Sequence, residues 1–439
     1  MACRLTVLGT GYLGAAHAVC MAELGFEVLG VDTSQAQVSA LAAGRLPFHE
    51  PGLETLLRRG LDCGLLRFST SYREAAAFGD VHFVCVGTPQ LAGADGADLS
   101  QLQECIDKLA PLLTRPCLVV GKSTVPVGTA GLLAERLSRL APIGRSAELA
   151  WNPEFLREGH AVADTLQPDR IVAGVRSARA EAVLREVYAR PLAAGTPMVV
   201  TDFATAELVK VAANAFLATK ISFINAMAEV CEAAGADVVP LARALAYDAR
   251  IGGRFLGPGL GFGGGCLPKD IRAFGARAQE LGAGQALGFL REVDAVNQRC
   301  RARTVDLARE LAGGSLHGAA VCVLGAAFKP GSDDIRDSPA LEVAAAVRGL
   351  GARVTVYDPV ALDRARQARP ELEYAASMVG AAADAEVVLL LTDWREFAEA
   401  DPVLLGKAVA RRNIVDGRNA LDPGAWRAAG WCYRALGRP

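Results

Sequence analysis

Residues 4–32, RLTVLGTGYLGAAHAVCMAELGFEVLGVD, decide the fold of this chain. Residues 4–8 form a short apolar run that predicts a buried strand. The glycine-rich stretch follows at once, residues 15–24 have a helical composition, and residues 27–31 predict a second strand that ends at Asp32. The order of strand, glycine turn, helix, strand and acid predicts the start of a doubly wound α/β sheet.

The glycines of this turn have the spacing GxGxxG, and each has its own physical reason. Gly9 permits a tight turn, Gly11 lets the backbone approach a pyrophosphate, and Gly14 lets helix and strand pack closely. Asp32 is placed to accept hydrogen bonds from the two hydroxyls of a ribose, and its charge would repel a 2′-phosphate. The sequence therefore predicts an NAD site with NAD preferred over NADP. The alternative is a glycine-rich turn without a ligand.

Two further apolar runs continue the parallel pattern. Residues 80–86 lead to Thr88, and residues 118–121 lead to Thr124. A doubly wound sheet holds its ligand at the carboxyl ends of its strands. The two threonines are therefore candidate contacts to the cofactor, with the capping of loops by their hydroxyls as an equal alternative.

The composition is that of a globular protein with more than one core. A chain of 439 residues, 51% hydrophobic and 21% charged, is expected to form two or three domains. The net charge of −2 and the lack of a basic block predict neither nucleic acid nor membrane as a partner. The 11 cysteines and 5 histidines have no zinc-like spacing, so we expect no metal site and reduced thiols in a cytoplasm. No apolar run reaches the ~18 residues of a membrane helix, and the glycine turn argues against a signal peptide at the start.

Residues 151–159, WNPEFLREG, place two acids in one short stretch beyond a strand. Glu154 is a candidate base for water. Glu158 is either an ordinary surface acid or a neighbour that tunes Glu154.

Residues 205–234 predict one long helix, of the kind that joins domains or forms a subunit interface. Lys210 and Asn214 lie one turn apart on it, either at a solvated edge or as a pair that reaches one ligand. Arg250, before a glycine-rich stretch, is a candidate to bind an anion in its own or in a neighbouring subunit, with a surface arginine as the alternative.

The stretch 261–270, GFGGGCLPKD, places a cysteine between a glycine turn and a proline. Proline is favoured in the first turn of a helix, so Cys266 is predicted at a helix start, where the positive helix end favours a thiolate. Asp270 should lie on the same helix face, and Lys269 adds a nearby cation. The pattern predicts an activated nucleophile; the alternative is a cysteine that only packs.

Residues 319–358 repeat the order of strand, helix, strand and acid. Their turn lacks GxGxxG, so this part is predicted to be Rossmann-like without being a second dinucleotide site of the same kind. Lys329 and Arg418, at the ends of predicted strands, suit a phosphate and a pyrophosphate. Ordinary loop cations are the alternative for each.

These patterns predict an α/β protein with two Rossmann-like doubly wound domains joined by a central long-helix domain. The expected boundaries are 1–203 for the NAD-binding domain, 204–300 for the helical domain and 301–439 for the second Rossmann-like domain. The helical domain is the expected interface of a homodimer or a higher homo-oligomer.

Eight motifs of the chain match a known family in order and span nearly its whole length. They are GTGYLG, VCVGTPQ, KSTVPVGT, NPEFLREG, AELVKVAANAFLATKISFINAMAEVCE, RIGGRFLGPGLGFGGGCLPKD, AFKPGSDDIRDSPA and DGRN. With them the chain resembles the nucleotide-sugar 6-dehydrogenases of the UDP-glucose/GDP-mannose dehydrogenase family, and most of all the UDP-glucose branch. One departure is Gly265, where the family commonly has Ser.

The resemblance implies two NAD-dependent oxidations that turn a primary alcohol of a nucleotide-bound glucose into a carboxylate. It implies Cys266 as the nucleophile that passes through a thioester, with the remaining catalytic candidates Asp270, Lys210, Asn214, Glu154 and Thr124. The substrate-side residues it implies are Glu158, Phe155, Leu156, Arg250, Phe262, Gly263, Lys329 and Arg418. The cofactor-side residues it implies are Gly9, Gly11, Tyr12, Leu13, Gly14, Asp32, Thr88, Thr124, Glu158, Lys269 and Arg336.

Several functions stay open on the sequence alone. The motifs do not identify the base of the nucleotide. UDP-glucose is the default substrate because the Cys266 segment resembles that branch, with dTDP-glucose as a close second. A β-hydroxyacid dehydrogenase, which also pairs a Rossmann domain with a long-helix domain, is the enzyme alternative, with one NADH per substrate instead of two. It would leave Cys266 and the C-terminal part unexplained. A non-catalytic NAD-binding sensor would bind the cofactor without turnover.

Overall fold

The computed structural model describes residues 3–439, which form two compact units. The first unit contains the chain up to Ala213 and the segment Ala273–Gly284. The second contains Asn214–Arg272 and Gln285–Pro439. Each unit has its own sheet and its own buried apolar clusters.

The first unit is built on an eight-stranded sheet with the order β3-β2-β1-β4-β5-β6-β7-β8. Its strands are β1 (Leu5–Leu8), β2 (Val28–Val31), β3 (Leu66–Ser69), β4 (Val81–Val84), β5 (Cys117–Gly121), β6 (Ala147–Trp151), β7 (Ile171–Gly174) and β8 (Met198–Thr201). All neighbouring strands pair in parallel except β6 and β7. The first six strands have the order typical of dinucleotide-binding sheets.

Helices connect these strands. They are α1 (Tyr12–Glu23), α2 (Gln35–Ala42), α3 (Leu53–Asp62), α4 (Tyr72–Phe78), α5 (Ser100–Leu109), α6 (Thr129–Leu140), α7 (Ala161–Leu166), α8 (Ala178–Val187) and α9 (Ala189–Ala193), with 3₁₀ turns at Ala110–Leu112 and Gly144–Ser146. Strands β1, β2 and β4 are buried along their whole length, as expected for a parallel sheet covered on both faces.

The second unit contains a six-stranded sheet with the order β11-β10-β9-β12-β13-β14, and every pair in it is parallel. Its strands are β9 (Ala320–Leu324), β10 (Arg353–Tyr357), β11 (Glu373–Tyr374), β12 (Val387–Leu390), β13 (Asn413–Asp416) and β14 (Cys432–Ala435). Its helices between and after the strands are α14 (Pro339–Gly349), α15 (Leu362–Ala368), α16 (Met378–Ala382), α17 (Arg395–Ala398), α18 (Pro402–Leu405) and α19 (Pro423–Ala428). Renumbered from its own first strand, this order is again the Rossmann order.

The predicted long helix is present as α10 (Phe203–Ala234), followed by α11 (Val238–Ala246), α12 (Leu267–Glu280), a 3₁₀ turn at Gly284–Leu287 and α13 (Phe289–Leu311). By length and hydropathy alone α10 would pass as a membrane span, contrary to the expectation that no run of the chain approaches one. However, Glu207, Lys210 and Asn214 on this helix are buried and polar, which is more typical of the core helix of a folded protein. The predicted fold class, two Rossmann-like sheets with long-helix elements between them in sequence, is confirmed.

Candidate active site

The glycine turn of the first unit has the geometry that a dinucleotide needs. Gly9 has φ +84°, and a Cβ added to Gly14 would collide with the carbonyl oxygen of Gly9, so both positions require glycine. Gly11 has no atom within 4 Å of its Cβ direction, and as the N-cap of α1 it leaves the helix start without a side-chain cap. Open space before free helix N–H groups fits a pyrophosphate.

The acid predicted to hold the ribose lies at the end of β2. Asp32 Oδ2 accepts from the Thr10 amide at 2.8 Å, and Oδ1 accepts from the Ser34 amide at 2.9 Å. The side chain is only partly buried. It is therefore oriented by the turn and still accessible to ribose hydroxyls. Leu13, another predicted cofactor residue, packs against the apolar cluster beneath the turn.

Two loops at neighbouring strand ends are tied together by hydroxyl groups. Thr88 Oγ1 donates to the carbonyl oxygen of Thr124 at 2.8 Å, and Ser123 Oγ donates to that of Val86 at 2.7 Å. The loop-capping alternative therefore describes the Thr88 hydroxyl in this structure. Cofactor contact by Thr88 and Thr124 stays a prediction.

A buried carboxylate that the sequence analysis missed fixes the second of these loops. Glu207 of α10 accepts from the amides of Gly128 at 2.7 Å and Ala130 at 2.6 Å, at the start of α6. Burial raises the pKa of Glu207 above its ordinary value, although these two bonds and the nearby Arg277 oppose the shift. Glu207 could have been noticed in the sequence because it lies one helical turn before Lys210, on the same face of α10.

Residues 152–160, called the acid loop, carry the two predicted acids between β6 and α7 without regular secondary structure. Glu154 Oε1 lies 3.0 Å from Lys210 Nζ, and the two side chains are 13% and 6% exposed. Glu154 Oε2 accepts from the Leu156 amide at 2.7 Å. The ammonium of Lys210 also lies over the Phe155 ring at 5.5 Å. The structure thus brings Glu154 and Lys210 together as a shielded acid–base pair.

Both ends of the acid loop are held by side chains from elsewhere in the first unit. At its start, Asn152 Oδ1 accepts from Lys122 Nζ at 2.9 Å and from the Tyr188 hydroxyl at 2.6 Å. At its end, Glu50 accepts from the amides of Gly159 at 2.6 Å and Ala161 at 2.7 Å. Glu50 was also missed, since these two amides lie more than 100 residues away from it in sequence.

The predicted nucleophile lies in the second unit at the start of α12. Cys266 is exposed, it directly precedes the first residue of the helix, and its carbonyl accepts from the Asp270 amide at 2.8 Å. Pro268 lies in the first turn, as the sequence predicts. An exposed thiol at a helix N-terminus is favourable for a thiolate.

Asp270 lies one turn further along α12 and is 1% exposed. Its Oδ2 accepts from Asn214 Nδ2 at 2.7 Å, and its Oδ1 lies 2.6 Å from Lys269 Nζ. The structure therefore joins Asn214 to Asp270, and Lys269 is engaged with the same carboxylate. Lys210 and Asn214 lie one turn apart on α10; Lys210 pairs with Glu154, and Asn214 donates to Asp270.

The glycine segment before Cys266 is fixed through its backbone. Asn297 Oδ1 accepts from the Phe262 amide at 2.8 Å, and Arg301 donates to the Phe262 carbonyl at 3.0 Å. Cβ atoms added to Gly263 and Gly264 would clash with atoms of the segment 328–339. Close packing thus explains why this turn is made of glycine.

The unusual Gly265 also has a structural explanation. The guanidinium of Arg336 occupies the space that a Cβ at residue 265 would need. The same guanidinium forms an ion pair with Asp334 at 2.6 Å. A serine at this position would displace Arg336 from its present place.

The remaining predicted cations have protein partners in this structure. Arg418 donates to the carbonyl oxygens of Leu391 at 2.7 Å, Gly261 at 2.8 Å and Phe328 at 3.2 Å. Arg250 is exposed and pairs with Asp248 at 2.6 Å. Contact of Arg250, Arg418, Lys329 and Glu158 with a substrate stays a prediction.

The fold, the glycine turn of the first unit and the exposed Cys266 at a helix start in the second unit define an enzyme of the NAD-dependent dehydrogenase class. Three models of the UDP-glucose/GDP-mannose dehydrogenase family match the chain in order. The NAD binding domain matches residues 3–192, the central domain residues 204–299, and the UDP binding domain residues 322–423. The chain belongs to this family.

Individual relatives match the chain over its whole length. A UDP-glucose 6-dehydrogenase of Rhizobium meliloti (strain 1021) is 41% identical over 99% of this chain and 100% of its own length. The structure of a UDP-glucose dehydrogenase from the archaeon Pyrobaculum islandicum has a TM-score of 0.91 at 38% identity, over 100% of this chain and 98% of that one. That of a UDP-D-ManNAc dehydrogenase from Pyrococcus horikoshii has a TM-score of 0.87 at 28% identity, over 99% of both chains. The predicted family, the NAD-binding domain and the three-domain architecture are confirmed, and the β-hydroxyacid dehydrogenase alternative is not favoured.

Proposed function

We propose that this chain oxidises UDP-glucose at C6 to the uronic acid, with two NAD⁺ reduced per sugar. The observation that carries the proposal is the exposed Cys266 at the start of α12, one turn from the buried Asp270–Asn214 pair. A dehydrogenase with a single oxidation has no need of such a nucleophile. UDP-glucose is the substrate named for whole-length relatives at 36–41% identity.

The overall reaction converts the primary alcohol, water and two NAD⁺ into the carboxylate, two NADH and three protons. The glycine turn, the N-terminus of α1 and Asp32 are the groups that would hold NAD⁺, which would serve as the hydride acceptor in each oxidation. The first oxidation leaves an aldehyde, which has no hydride to transfer until a nucleophile adds to it.

The residues of the second unit supply that nucleophile. The Cys266 thiolate forms a C–S bond with the aldehyde carbon, and the resulting thiohemiacetal loses a hydride and a proton to become a thioester. Asp270, held by Asn214 at 2.7 Å, is the proposed group for the alcohol proton. The amide of Asn214 and the Lys269 ammonium keep this carboxylate oriented.

The residues of the first unit supply the groups for charge stabilisation and hydrolysis. Lys210 is the proposed donor to oxygen atoms that become negative during the reaction. Glu154, 3.0 Å from it, is the proposed base for water. Attack of that water on the thioester carbon breaks the C–S bond, releases the carboxylate and restores the thiolate.

The decisive experiment replaces Cys266 with Ala and measures acid formation and NADH yield with UDP-glucose. We expect acid formation to fall by about 10³-fold or more, the scale of a lost nucleophile, and the wild type to release two NADH per sugar. Cys432→Ala removes another exposed thiol of the same unit and serves as the control. Undiminished acid formation in Cys266→Ala would refute the proposal.

The choice of nucleotide is tested on the wild type with a panel of nucleotide sugars. We propose UDP-glucose ahead of dTDP-glucose, because the C-terminal segment 322–423 matches a UDP binding domain. A kcat/KM for dTDP-glucose or GDP-mannose that exceeds the value for UDP-glucose would contradict this order.

We also propose that the chain forms a homodimer in the cytoplasm. Phe216, Phe223 and Val230 recur every seventh residue of α10 and are 66%, 49% and 57% exposed, and such an apolar stripe is typical of a helix that packs against a partner. All 11 cysteines, which fall within the described residues, are free thiols. Light scattering of Phe216→Glu/Phe223→Glu should show monomer where the wild type shows dimer; a monomeric wild type would contradict the proposal.

A further inference from the structure

The acid loop has no regular secondary structure, so its course depends on the side chains that hold its backbone. Between its two ends Glu154 accepts from the Leu156 amide and pairs with Lys210 of α10, and Arg157 pairs with Asp164. The end nearest Glu158 is held by one buried carboxylate. Glu50, 5% exposed, receives the amide of Gly159 on Oε2 and that of Ala161 on Oε1.

The same carboxylate also contacts the glycine turn. The hydroxyl of Tyr12, the residue directly after Gly11, donates to Glu50 Oε2, and it lies 3.1 Å from the Gly159 amide. The Tyr12 ring packs against Phe48 with 4.9 Å between ring centroids. Burial, followed by the hydrogen bond to Glu50, raises the pKa of Tyr12, so it stays a protonated donor. Tyr12 was predicted as a cofactor residue, but its hydroxyl in this structure is directed to a protein partner.

Only an ionised carboxylate satisfies all three donors. Two backbone amides and one hydroxyl point to the two oxygens of Glu50. A glutamine offers one oxygen, and its NH₂ group would face one of these donors. The geometry is therefore specific for glutamate, which a residue that only fills space would not require.

We propose that Glu50 is a positioning residue that sets the course of the acid loop, and thereby the place of Glu154 when water attacks the thioester. Tyr12 holds Glu50 in place from the first turn of α1, so the cofactor turn and the acid loop share one anchor. The inference rests on the proposed function. It adds a residue pair, Glu50 and Tyr12, that acts on the second half of the reaction.

The test compares Glu50→Gln and Tyr12→Phe with the wild type. Displacement of a reacting group by about 1 Å costs as much as 10²-fold in rate, so we expect Glu50→Gln to slow thioester hydrolysis by roughly 10- to 100-fold. Intact-mass measurement during turnover should then show sugar-acylated enzyme, with the adduct on Cys266, while the single-turnover rate of the first NADH changes less than about threefold. Tyr12→Phe, which leaves both amide bonds to Glu50, should give the same pattern with a smaller change.

Hydrogen exchange in the cofactor-free protein supplies a readout independent of turnover. The amides of Gly159 and Ala161 should exchange at least about tenfold faster in Glu50→Gln than in the wild type. Glu148→Gln is the matched control, because Glu148 accepts from Ser177 Oγ and Arg179, which belong to the same unit and lie outside the acid loop. It should neither accumulate acylated enzyme nor speed exchange at the two amides.

The inference is overturned if Glu50→Gln slows the first oxidation and the hydrolysis equally without acylated enzyme, or if exchange of the two amides is unchanged. If Glu50→Gln does not fold, Tyr12→Phe alone decides by the same two readouts. Failure of the proposed function is distinct: it appears as fewer than two NADH per sugar in the wild type, whereas the exchange comparison still reports on the anchor.

Discussion

The two sheets have the same strand order but differ in the turn after their first strand. In the first unit α1 begins at Tyr12, directly after the glycine turn, and its N-terminus has no side-chain cap. In the second unit residues 325–338 precede α14, and the Ser338 hydroxyl accepts from the Leu341 amide. Free N–H groups at a helix start attract an anion, whereas a capped helix start has fewer free N–H groups to donate to one.

The acids at the end of the second strand of each sheet, Asp32 and Asp358, also differ in how accessible they are to a ligand. Asp32 is partly exposed and is oriented by the amides of Thr10 and Ser34. Asp358 is fully buried and accepts from the amides of Ala326 at 2.8 Å and Ala327 at 3.0 Å. The same carboxylate receives further bonds from Trp394 Nε1, Val360 and Ala361.

One topological position therefore has two tasks. In the first unit the acid and the helix start are available to bind a ligand. In the second unit the acid is occupied by hydrogen bonds within the protein, and the helix start is capped by a side chain. The strand order alone does not assign a ligand; the hydrogen-bond inventory of the turn does.

Substitution of Gly14 is expected to have the largest effect on NAD⁺ binding, because a Cβ atom added there would collide with the carbonyl oxygen of Gly9. We expect Gly14→Ala to weaken NAD⁺ binding by about 100-fold or more, ~2.7 kcal/mol, measured by isothermal titration. Gly349→Ala in α14 of the second unit is the control, because that glycine has no atom within 4 Å of its Cβ direction. Unchanged NAD⁺ binding in Gly14→Ala would remove the glycine turn from the cofactor site.

The paired variants Asp32→Asn and Asp358→Asn test the acids directly. Loss of a charged hydrogen-bond partner costs ~1.5–3 kcal/mol, so Asp32→Asn should weaken NAD⁺ binding roughly 10- to 150-fold and reduce the preference for NAD⁺ over NADP⁺. Asp358→Asn should leave that preference unchanged and lower the free energy of unfolding by about 2–3 kcal/mol instead. Titration with both cofactors and urea unfolding measure the two quantities. A change in cofactor preference in Asp358→Asn would break the comparison.

The sequence predicted much of this contrast because its signals are local. The buried strands, the glycine spacing, the terminal acid Asp32 and the lack of GxGxxG after β9 are each visible within one short stretch of the sequence. The start of α12 was predicted for the same reason, from the order of glycine, Cys266 and Pro268. Helix bounds differ slightly: α10 begins at Phe203 rather than at Thr205.

The residues that hold the loops were not predicted, since their partners are distant in the chain. Glu50 and Ala161 are 111 residues apart, and Glu207 and Gly128 are 79. Such contacts leave no periodicity in the sequence. An acid inside an apolar helix face, as Glu207 is, was the one available signal, and it resembles an ordinary surface charge until its burial is known.

The smallest expected effect concerns the loops after the fifth strand of each sheet. In the first unit this loop is held by Glu207 from α10, and in the second by Asp416 at the end of β13 itself, which accepts from the Leu421 amide at 2.8 Å. Burial raises the pKa of both carboxyls. Each therefore contributes stability that is fully present below the unfolded-state pKa and is lost as the pH rises through the folded-state pKa.

Glu207→Gln and Asp416→Asn should both remove this part of the pH dependence. Urea unfolding between pH 4 and pH 8 should show that the stability of the wild type relative to each variant falls with rising pH. Glu207 comes from a helix remote in sequence and Asp416 from the end of the strand itself. This difference should not change the result, because burial is the main cause of the raised pKa in both. A relative stability that is constant across this pH range, in either variant, would show that the amide bonds to that carboxylate outweigh its burial.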